Sequence, residues 1–367
     1  KEAYEILSKT TVLPGVCGRI CPHKKQCQGS CVRGIKGNPV SIGELEAFVF
    51  DKVTQEGTTL LELWKDDINS KRKENFGKRV AVIGGGPAGL TCSAFLAKEG
   101  INVTIYEKYD YLGGLLVHGI PEFRLPKEKV KQTVENILQL GIEVKYNQEL
   151  GKNITIGELE KEYDAIFLSF GANVSLKMNV EGEELQGVYG GNELLEYNLH
   201  PDYTNKTVIV VGGGNVALED AIFLSRMCKK VYLIHRRDEF RGAKILQDEV
   251  KKNDKIEILW NTIVTKIDGD EVVEGLHIQD VDNHVDKLLD VDGIFIAVGT
   301  KPASELLSGK LSTDEKGYII AGEDGVTNIP GIFAAGDGRS KNLRQVVTAV
   351  SDGANCVYSV ERYLQNA

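Results

Sequence analysis

The chain has 367 residues, 42% of them hydrophobic and 26% charged, which fits a globular protein of two or three domains and excludes global disorder. Lys and Arg number 44 against 53 Asp and Glu, a net charge of −9. An acidic chain is not drawn to nucleic acid or anionic membrane, and no apolar run nears the roughly 20 residues that span a bilayer.

The first element reads as the inside of a helix. Lys1 opens the run KEAYEIL, and no basic stretch followed by an apolar one marks a signal peptide. A fragment lacking upstream residues, working in the cytoplasm, is expected. Seven cysteines are too few and too unevenly spread for a disulfide scaffold of this size. Cys92, Cys228 and Cys356 sit in helix-like apolar stretches and are expected to be buried, inert thiols.

Residues 1–76 look helical and loop-rich and carry the other four cysteines, spaced Cys17-x3-Cys21-Pro22-x4-Cys27-x3-Cys31. On a helix, positions i and i+4 share a face, so each pair would aim its sulfurs one way. The stretch 19–36 holds Arg19, Lys24, Lys25, Arg33 and Lys36 and no acid, a local positive charge that would offset an anionic thiolate-ligated cluster. The spacing is neither a zinc C-x2-C knuckle nor the bacterial ferredoxin run. Thiolate ligation of iron–sulfur is favoured, with structural zinc and plain thiols left open. Ser41 and Glu44 read as a capping box. Glu46, read alone, is a solvated helix carboxylate.

From Arg79 the pattern becomes short Val/Ile strands ending in glycine, each followed by a helix, as in a parallel α/β sheet. Gly84, Gly86 and Gly89, with Pro87 and Ala88 between, form G-x-G-x-x-G after an apolar strand. The glycines suit a tight turn, a close pyrophosphate and helix–strand packing, and the helix N-terminus suits phosphate charge. Val103 to Tyr106 reads as a second strand ending at Glu107, 23 residues past Gly84. That is close to the ~20 expected of an acid that binds ribose hydroxyls.

The pattern repeats. RVAVIGGGPAGL at 79–90 falls on TVIVVGGGNVAL at 207–218, and the same 128-residue shift carries 163–172 onto 291–300. Two dinucleotide-binding domains in succession are expected. Gly212, Gly214 and Ala217 give the second motif, and Glu107 falls on His235, followed by Arg236, Arg237 and Arg241. An acid would repel a ribose 2′-phosphate, whereas guanidinium groups bind it, so NADPH is expected over NADH. A solvated basic loop is the plainer alternative.

At the C-terminal end, IFAAGDGR reads as a short buried strand ending in Gly336 and Asp337. A carboxylate there suits a flavin's polyol chain, although Asp337 alone reads as a turn residue. Residues 344–364, starting at Arg344, Gln345 and Val346, have an amphipathic helix pattern. Its N-terminus would favour negative charge on a reduced flavin ring.

The expected fold class is α/β: two Rossmann-like, three-layer FAD/NAD(P)-binding domains preceded by a small α-helical iron–sulfur-type segment. The segment is 1–76, the FAD domain 77–190 with 306–367, and the NADPH domain 191–305. Hinges are expected near Gly190 and Gly191 and at Gly299 to Pro302. Hydride passes between cofactors that the protein positions, so no catalytic triad is expected. His118 and His235 read as structural.

The motifs CGRICPHKKQCQGSCV at 17–32, PVSIGELEAF at 39–48, GGGPAGL, GGLLVHGIPEFRLP at 113–126 and GGGNVALED, in this order, resemble the small subunit of NADPH-dependent glutamate synthase. They also resemble the equivalent part of dihydropyrimidine dehydrogenase and the large subunit of a flavin-bifurcating ferredoxin:NADP oxidoreductase. The resemblance implies that NADPH reduces FAD and that electrons leave through two [4Fe–4S] clusters. The implied acceptor is a protein subunit, glutamate synthase large-subunit-like or ferredoxin-like, and a homo-oligomer is compatible with it. By motif position it makes Cys21, Cys27, Cys31 and Glu46 cluster ligands, leaves Cys17 dispensable, and places the remaining ligands upstream of Lys1. It assigns FAD contacts to Ala88, Glu107, Leu115, Arg124, Asp337, Gln345 and Val346, with Lys108 and Gly114 beside them. NADPH contacts fall on Asn215, Val216, Arg236, Arg237 and Arg241, with Gly299 close by. From residue 208 onward the chain looks more like thioredoxin reductase. Residues 187–206, however, contain no cysteine, so the C-x-x-C that takes electrons in such reductases is absent.

Overall fold

The computed structural model describes residues 1–120, 122–191, 201–307 and 309–366. Pro121 of the GIPEFRLP motif, and residues 192–200 of the cysteine-free stretch, lie outside the described residues. The chain forms two compact units, Lys1–Ala172 with Pro302–Ala367, and Asn173–Lys301. The sequence expectation drew these boundaries at 190/191 and 305/306. In the structure Val174 and Ser175 pair antiparallel with Lys301 and Thr300, which keeps 173–190 with the second unit. Among the described residues no helix is long and apolar enough to cross a membrane.

The first unit is built on a parallel five-stranded sheet in the order Ile332–Ala334, Ala165–Leu168, Arg79–Ile83, Asn102–Tyr106, Glu143–Lys145. Its central strand, Arg79–Ile83, is buried from Val80 onward. That is why its sequence is an unbroken apolar run: strands covered on both faces do not alternate. Helix Pro87–Lys98 packs on this sheet, and the C-terminal helix Val346–Asn366 packs on that helix. Their contact is close at Gly353, where a Cβ would stand 2.3 Å from the Ala88 carbonyl oxygen.

Four helices precede the sheet: Glu2–Ser8, Pro14–Ile20, Ile42–Glu56 and Leu60–Glu74. The second lies tightly on the third because Gly15 admits the Phe50 ring and Gly18 meets the Gly43 carbonyl. Two local expectations fail here. Ser41 is the N-cap residue but makes no side-chain cap bond, so there is no Ser41–Glu44 capping box. Its ψ of 63° lies outside the extended region in which a cap side chain reaches back to the helix. The second cysteine pair is not helical either. Cys27 lies in turns after the short 3-10 helix His23–Lys25, and Cys31 precedes another, Val32–Ile35. A true capping box sits at Thr155 and Glu158.

The second unit repeats the design with strands Val188–Gly190, Gly293–Ala297, Thr207–Gly212, Lys230–Ile234 and Ile256–Leu259, all parallel. Helix Asn215–Ser225 follows its central strand. Here the chain adds an antiparallel meander of Thr262–Asp268, Gly275–Asp280 and Asp286–Asp290, which the sequence reading did not separate from the α/β pattern. Cys92, Cys228 and Cys356 are buried free thiols, as their apolar surroundings imply, and burial pushes Cys228 up to about 11 and Cys356 up to about 12.

The helix-on-helix contact makes a prediction. Gly353→Ala should destabilise the protein by about 1–3 kcal/mol, as overpacking does. Urea denaturation measures this, and an unchanged midpoint would mean that the two helices part freely.

Candidate functional site

In the first unit the strand Arg79–Ile83 ends in a turn that only glycine can make. Gly84 has φ +102°, and a Cβ there would stand 2.7 Å from the Ser169 carbonyl oxygen. At Gly89 a Cβ would stand 2.0 Å from the Gly84 carbonyl oxygen, so the helix rests directly on the turn. Gly86 is the N-cap of helix Pro87–Lys98, with no side-chain cap and open space where its Cβ would be. The first helical N–H groups therefore face a gap that can admit an anion.

Glu107 closes the turn. Its Oε2 accepts from Gly85 N at 2.8 Å and its Oε1 from Tyr109 N at 3.1 Å. Burial raises its pKa despite those bonds. A carboxylate has lone pairs beyond these two bonds, so it can still accept from sugar hydroxyls. Gly114, at φ +51°, faces Gly86, with 3.4 Å from its Cβ position to the Gly86 Cα. Leu115 follows, half exposed, Lys108 lies over the Tyr109 ring, and Arg124 is exposed. His118 is held by the Tyr111 hydroxyl at 3.0 Å, a structural role.

The C-terminal turn comes to the same place. A Cβ at Gly336 would touch the Ala88 Cβ at 3.0 Å, which sets Gly336 and Asp337 against the start of the phosphate-facing helix. Asp337 Oδ1 is buried without a hydrogen bond, and Lys341 Nζ lies 3.4 Å away. Burial raises the Asp337 pKa, opposed by Lys341. Gln345 N donates to Thr348 Oγ1 at the entry to the last helix.

Beneath this turn lies a node that sequence reasoning missed. Asp352 accepts from Gly336 N at 2.9 Å, from Arg339 Nε at 2.8 Å and Nη2 at 2.7 Å, and from Lys341 Nζ at 3.1 Å. Burial pushes its pKa up, but Arg339 and Lys341 outweigh that and hold it below the usual carboxylate range. Its only sequence signal is an acid on an otherwise apolar helix face. The open Gly86 cradle and the buried Asp337 carboxylate beside Lys341 fit a dinucleotide with a polyol arm such as FAD.

The second unit has the same turn with different chemistry. Gly212 has φ +154°, and Gly214 is an open helix N-cap without a side-chain cap. Arg241 N donates to Gly213 O at 2.8 Å and Ala243 N to Asn215 Oδ1 at 2.7 Å, which fastens the 241–243 loop onto the turn. His235 stands where Glu107 stands in the first unit. Its ring covers Gly213, and Nε2 is buried without a partner. Burial lowers its pKa, and Arg237, Arg236 and Arg241 lower it further, so all three exposed guanidinium groups bear on one point. Val216 is partly exposed at the helix start, and Gly299, at φ +123°, ends the neighbouring segment.

The cysteines divide. Cys17, Cys21, Cys27 and Glu46 line a cleft of about 880 Å³ together with Val350, Ala354 and Tyr358 of the last helix. Cys17 and Cys21 share a hydrogen bond that raises the first thiol and lowers the second, and burial raises Glu46. His23, unmarked in the sequence reading, brackets the cleft, with Nδ1 3.4 Å from Cys27 Sγ and Nε2 3.2 Å from Gly18 O. Cys31 is not on this lining, and its Sγ accepts from Val40 N at 3.5 Å. Among the described residues no three His, Cys, Asp or Glu side chains gather to hold a metal. As placed, the four expected ligands do not form a cluster-binding set.

Residues 78–353 match the family described as pyridine nucleotide-disulphide oxidoreductase, and residues 1–58 match dihydropyrimidine dehydrogenase domain II, 4Fe-4S cluster. The chain is 31% identical to the glutamate synthase [NADPH] small chain of Escherichia coli, over 99% of this chain and 83% of that protein. It is also 31% identical to the NADP(+)-dependent formate dehydrogenase subunit beta of Moorella thermoacetica, over all of this chain and 56% of the relative. Among solved structures, Lactococcus lactis thioredoxin reductase superposes with a TM-score of 0.67 at 29% identity, covering 79% of this chain and 100% of that one.

Asp352→Asn should lower stability by about 3–5 kcal/mol, because it leaves Arg339 buried without its counter-charge and Lys341 with Asp337 alone. The carboxyl's folded pKa is depressed, so its contribution is present above the unfolded value of about 3.9 and lost as pH falls through the folded value. Denaturation at neutral pH and near pH 3 should therefore show the gap between wild type and variant closing in acid. A gap independent of pH would remove the ion-pair account.

Proposed function

The chain belongs to the pyridine nucleotide-disulphide oxidoreductase family, in its glutamate synthase small chain-like branch, and is an NAD(P)H- and flavin-dependent oxidoreductase; on that premise we propose that NADPH binds the second glycine turn, reduces FAD held at the first, and that electrons leave to a partner protein past the N-terminal segment. One observation carries the assignment of cofactors to turns. The two copies share a backbone and differ in charge at the same point, with the Glu107 carboxylate in one and His235 among three guanidinium groups in the other. A carboxylate accepts from ribose hydroxyls and repels a 2′-phosphate, whereas guanidinium groups pair with that phosphate.

FAD, when bound, supplies the chemistry of accepting a hydride and releasing single electrons. The chain's residues do the holding. The N–H groups after Gly86 would hold the pyrophosphate, Glu107 would accept from ribose hydroxyls, and the Asp337 carboxylate would accept from a ribityl hydroxyl. Gln345 and Val346 open a helix whose N-terminal dipole favours negative charge on a reduced ring. Leu115, Lys108, Gly114 and Arg124 flank this site. Asn215, Val216 and the three arginines hold NADPH, with Gly299 nearby.

The match of residues 1–58 to a 4Fe-4S domain supports placing electron exit there. The spread of Cys21, Cys27, Cys31 and Glu46 gives no route through a metal, and none is built into this reading. The partner is a redox subunit, glutamate synthase large-subunit-like or ferredoxin-like. Direct reduction of thioredoxin is the rival reading, supported by the likeness to thioredoxin reductase. A thiol-release assay with thioredoxin separates the two, and activity there would replace the partner reading.

Anaerobic NADPH titration of the flavin-loaded protein should bleach the flavin band at about 450 nm. A band that persists through excess NADPH ends this account. Arg236→Ala with Arg237→Ala should lower kcat/KM for NADPH by about tenfold or more per guanidinium, from ~1.5–3 kcal/mol for a hydrogen bond to a charged group. The value for NADH should hold steady. Equal losses with both nucleotides would assign the arginines to structure.

A further inference from the structure

Residues 19–43 contain no acid in a chain of net charge −9. Arg19 is neutralised by Asp51 at 2.6 Å. Lys24, Lys25, Arg33 and Lys36 are exposed and make no ion pair among the described residues. The same stretch and the helix that follows it turn large apolar side chains outward. Val32 and Ile35 are 78% and 79% exposed, and Leu45 and Phe48, one turn apart on helix Ile42–Glu56, are 53% and 58% exposed. Lys52 Nζ lies 5.9 Å from the Phe48 ring centre and extends the cationic edge along that helix.

Single exposed hydrophobics are ordinary, but a run of them beside four exposed cations marks an interaction surface, which Glu44 and Glu46 border on the helix side. The loop that carries them is anchored. Val40 N donates to Cys31 Sγ, Pro39 sits by Gly34, and Val40 leads into the Ser41 helix start. Cys21, Cys27 and Glu46 line the neighbouring cleft.

We propose that this face docks an acidic redox protein, whose carboxylates meet the four free cations and whose apolar centre covers Ile35 and Phe48. The proposal rests on the electron-exit reading above and names the surface through which exit occurs. An anionic lipid surface could use the same charges, but only a redox partner makes use of their place beside a cleft walled by Val347 and Val350, in the first turns of the helix that opens at the proposed flavin turn. The reaction balances with one NADPH oxidised to NADP+, one proton released, and two acceptor molecules each reduced by one electron.

The test uses the flavin-loaded protein, NADPH and an acidic ferredoxin as probe, with menadione as a neutral small acceptor. Lys24→Glu with Lys25→Glu should cut kcat/KM for ferredoxin by about tenfold or more, and wild-type turnover should fall as salt rises, as for steered association. Menadione reduction should stay unchanged. Phe48→Ser, at the apolar centre of the face, should weaken ferredoxin turnover without altering its salt dependence. Loss of menadione reduction in wild type would break the function reading itself. Intact menadione reduction overturns the docking face alone if ferredoxin is not reduced, or is reduced equally by the charge-reversed variant. Binding of wild type to phosphatidylserine vesicles, lost on charge reversal while ferredoxin turnover is kept, gives the face to lipid instead.

Discussion

The carbonyl of Gly84 and the backbone of Gly89 approach so closely that a single Cβ between them would collide. That contact seats helix Pro87–Lys98 on the end of the central strand, and the seat sets everything that follows. It aims the uncapped N–H groups at the gap beside Gly86. It also presents Ala88 to both C-terminal neighbours, the Gly336 turn and Gly353 of the last helix. A chain segment more than 240 residues downstream thereby joins the first glycine turn, carrying Asp337 with it. The glycines are a packing requirement first and a ligand requirement second, and the two coincide because a helix that rests on its strand leaves its end bare.

Duplication of this seat explains how one chain handles two nucleotides. The second unit reproduces the turn with Gly212 and Gly214 and changes what closes it. In the first copy a carboxylate is tied down by two backbone N–H groups. In the second an imidazole covers Gly213, its pKa lowered by burial and by the arginines around it. A neutral ring can lie beneath guanidinium groups without repelling them, whereas a protonated one would add to their mutual repulsion. The divergence therefore involves the buried His235 as much as the exposed arginines.

The N-terminal segment is tied to the rest of the first unit by Asn136, which accepts from Leu60 N and donates to the Tyr4 hydroxyl, and is held together internally through small residues. Gly15 and Gly18 let two helices meet at backbone distance, and the cleft they help to frame ends against the last helix. Its cysteines are divided between that cleft and the loop beyond it. Its outward face carries a local positive charge in a chain that is acidic overall. Charge segregation of this kind affects encounter rates more than fold stability, because exposed charges are screened while buried pairs such as Asp352 with Arg339 are not.

Much of the molecule is legible in its order of residues. Period and composition mark the strands, since a parallel strand covered on both faces must be apolar throughout, as Val80 to Ile83 is. Fixed spacing marks Gly84, Gly86, Gly89 and Glu107, because those contacts are local, within one strand–helix–strand unit. Local signals mislead where a neighbour decides. Ser41 carries the letters of a capping box without the backbone angles, and the 27–31 cysteine spacing suits a helix that the chain does not form. Asp352, Lys341, His23 and Gly353 take their roles from partners on other segments, some far off in sequence. No periodicity encodes a contact between such elements. The sequence by itself determined the two nucleotide turns and their opposite charge. Only the tertiary structure decided which buried acid holds the C-terminal turn and which cysteines share a wall, because burial and counter-charge exist only once the elements have packed.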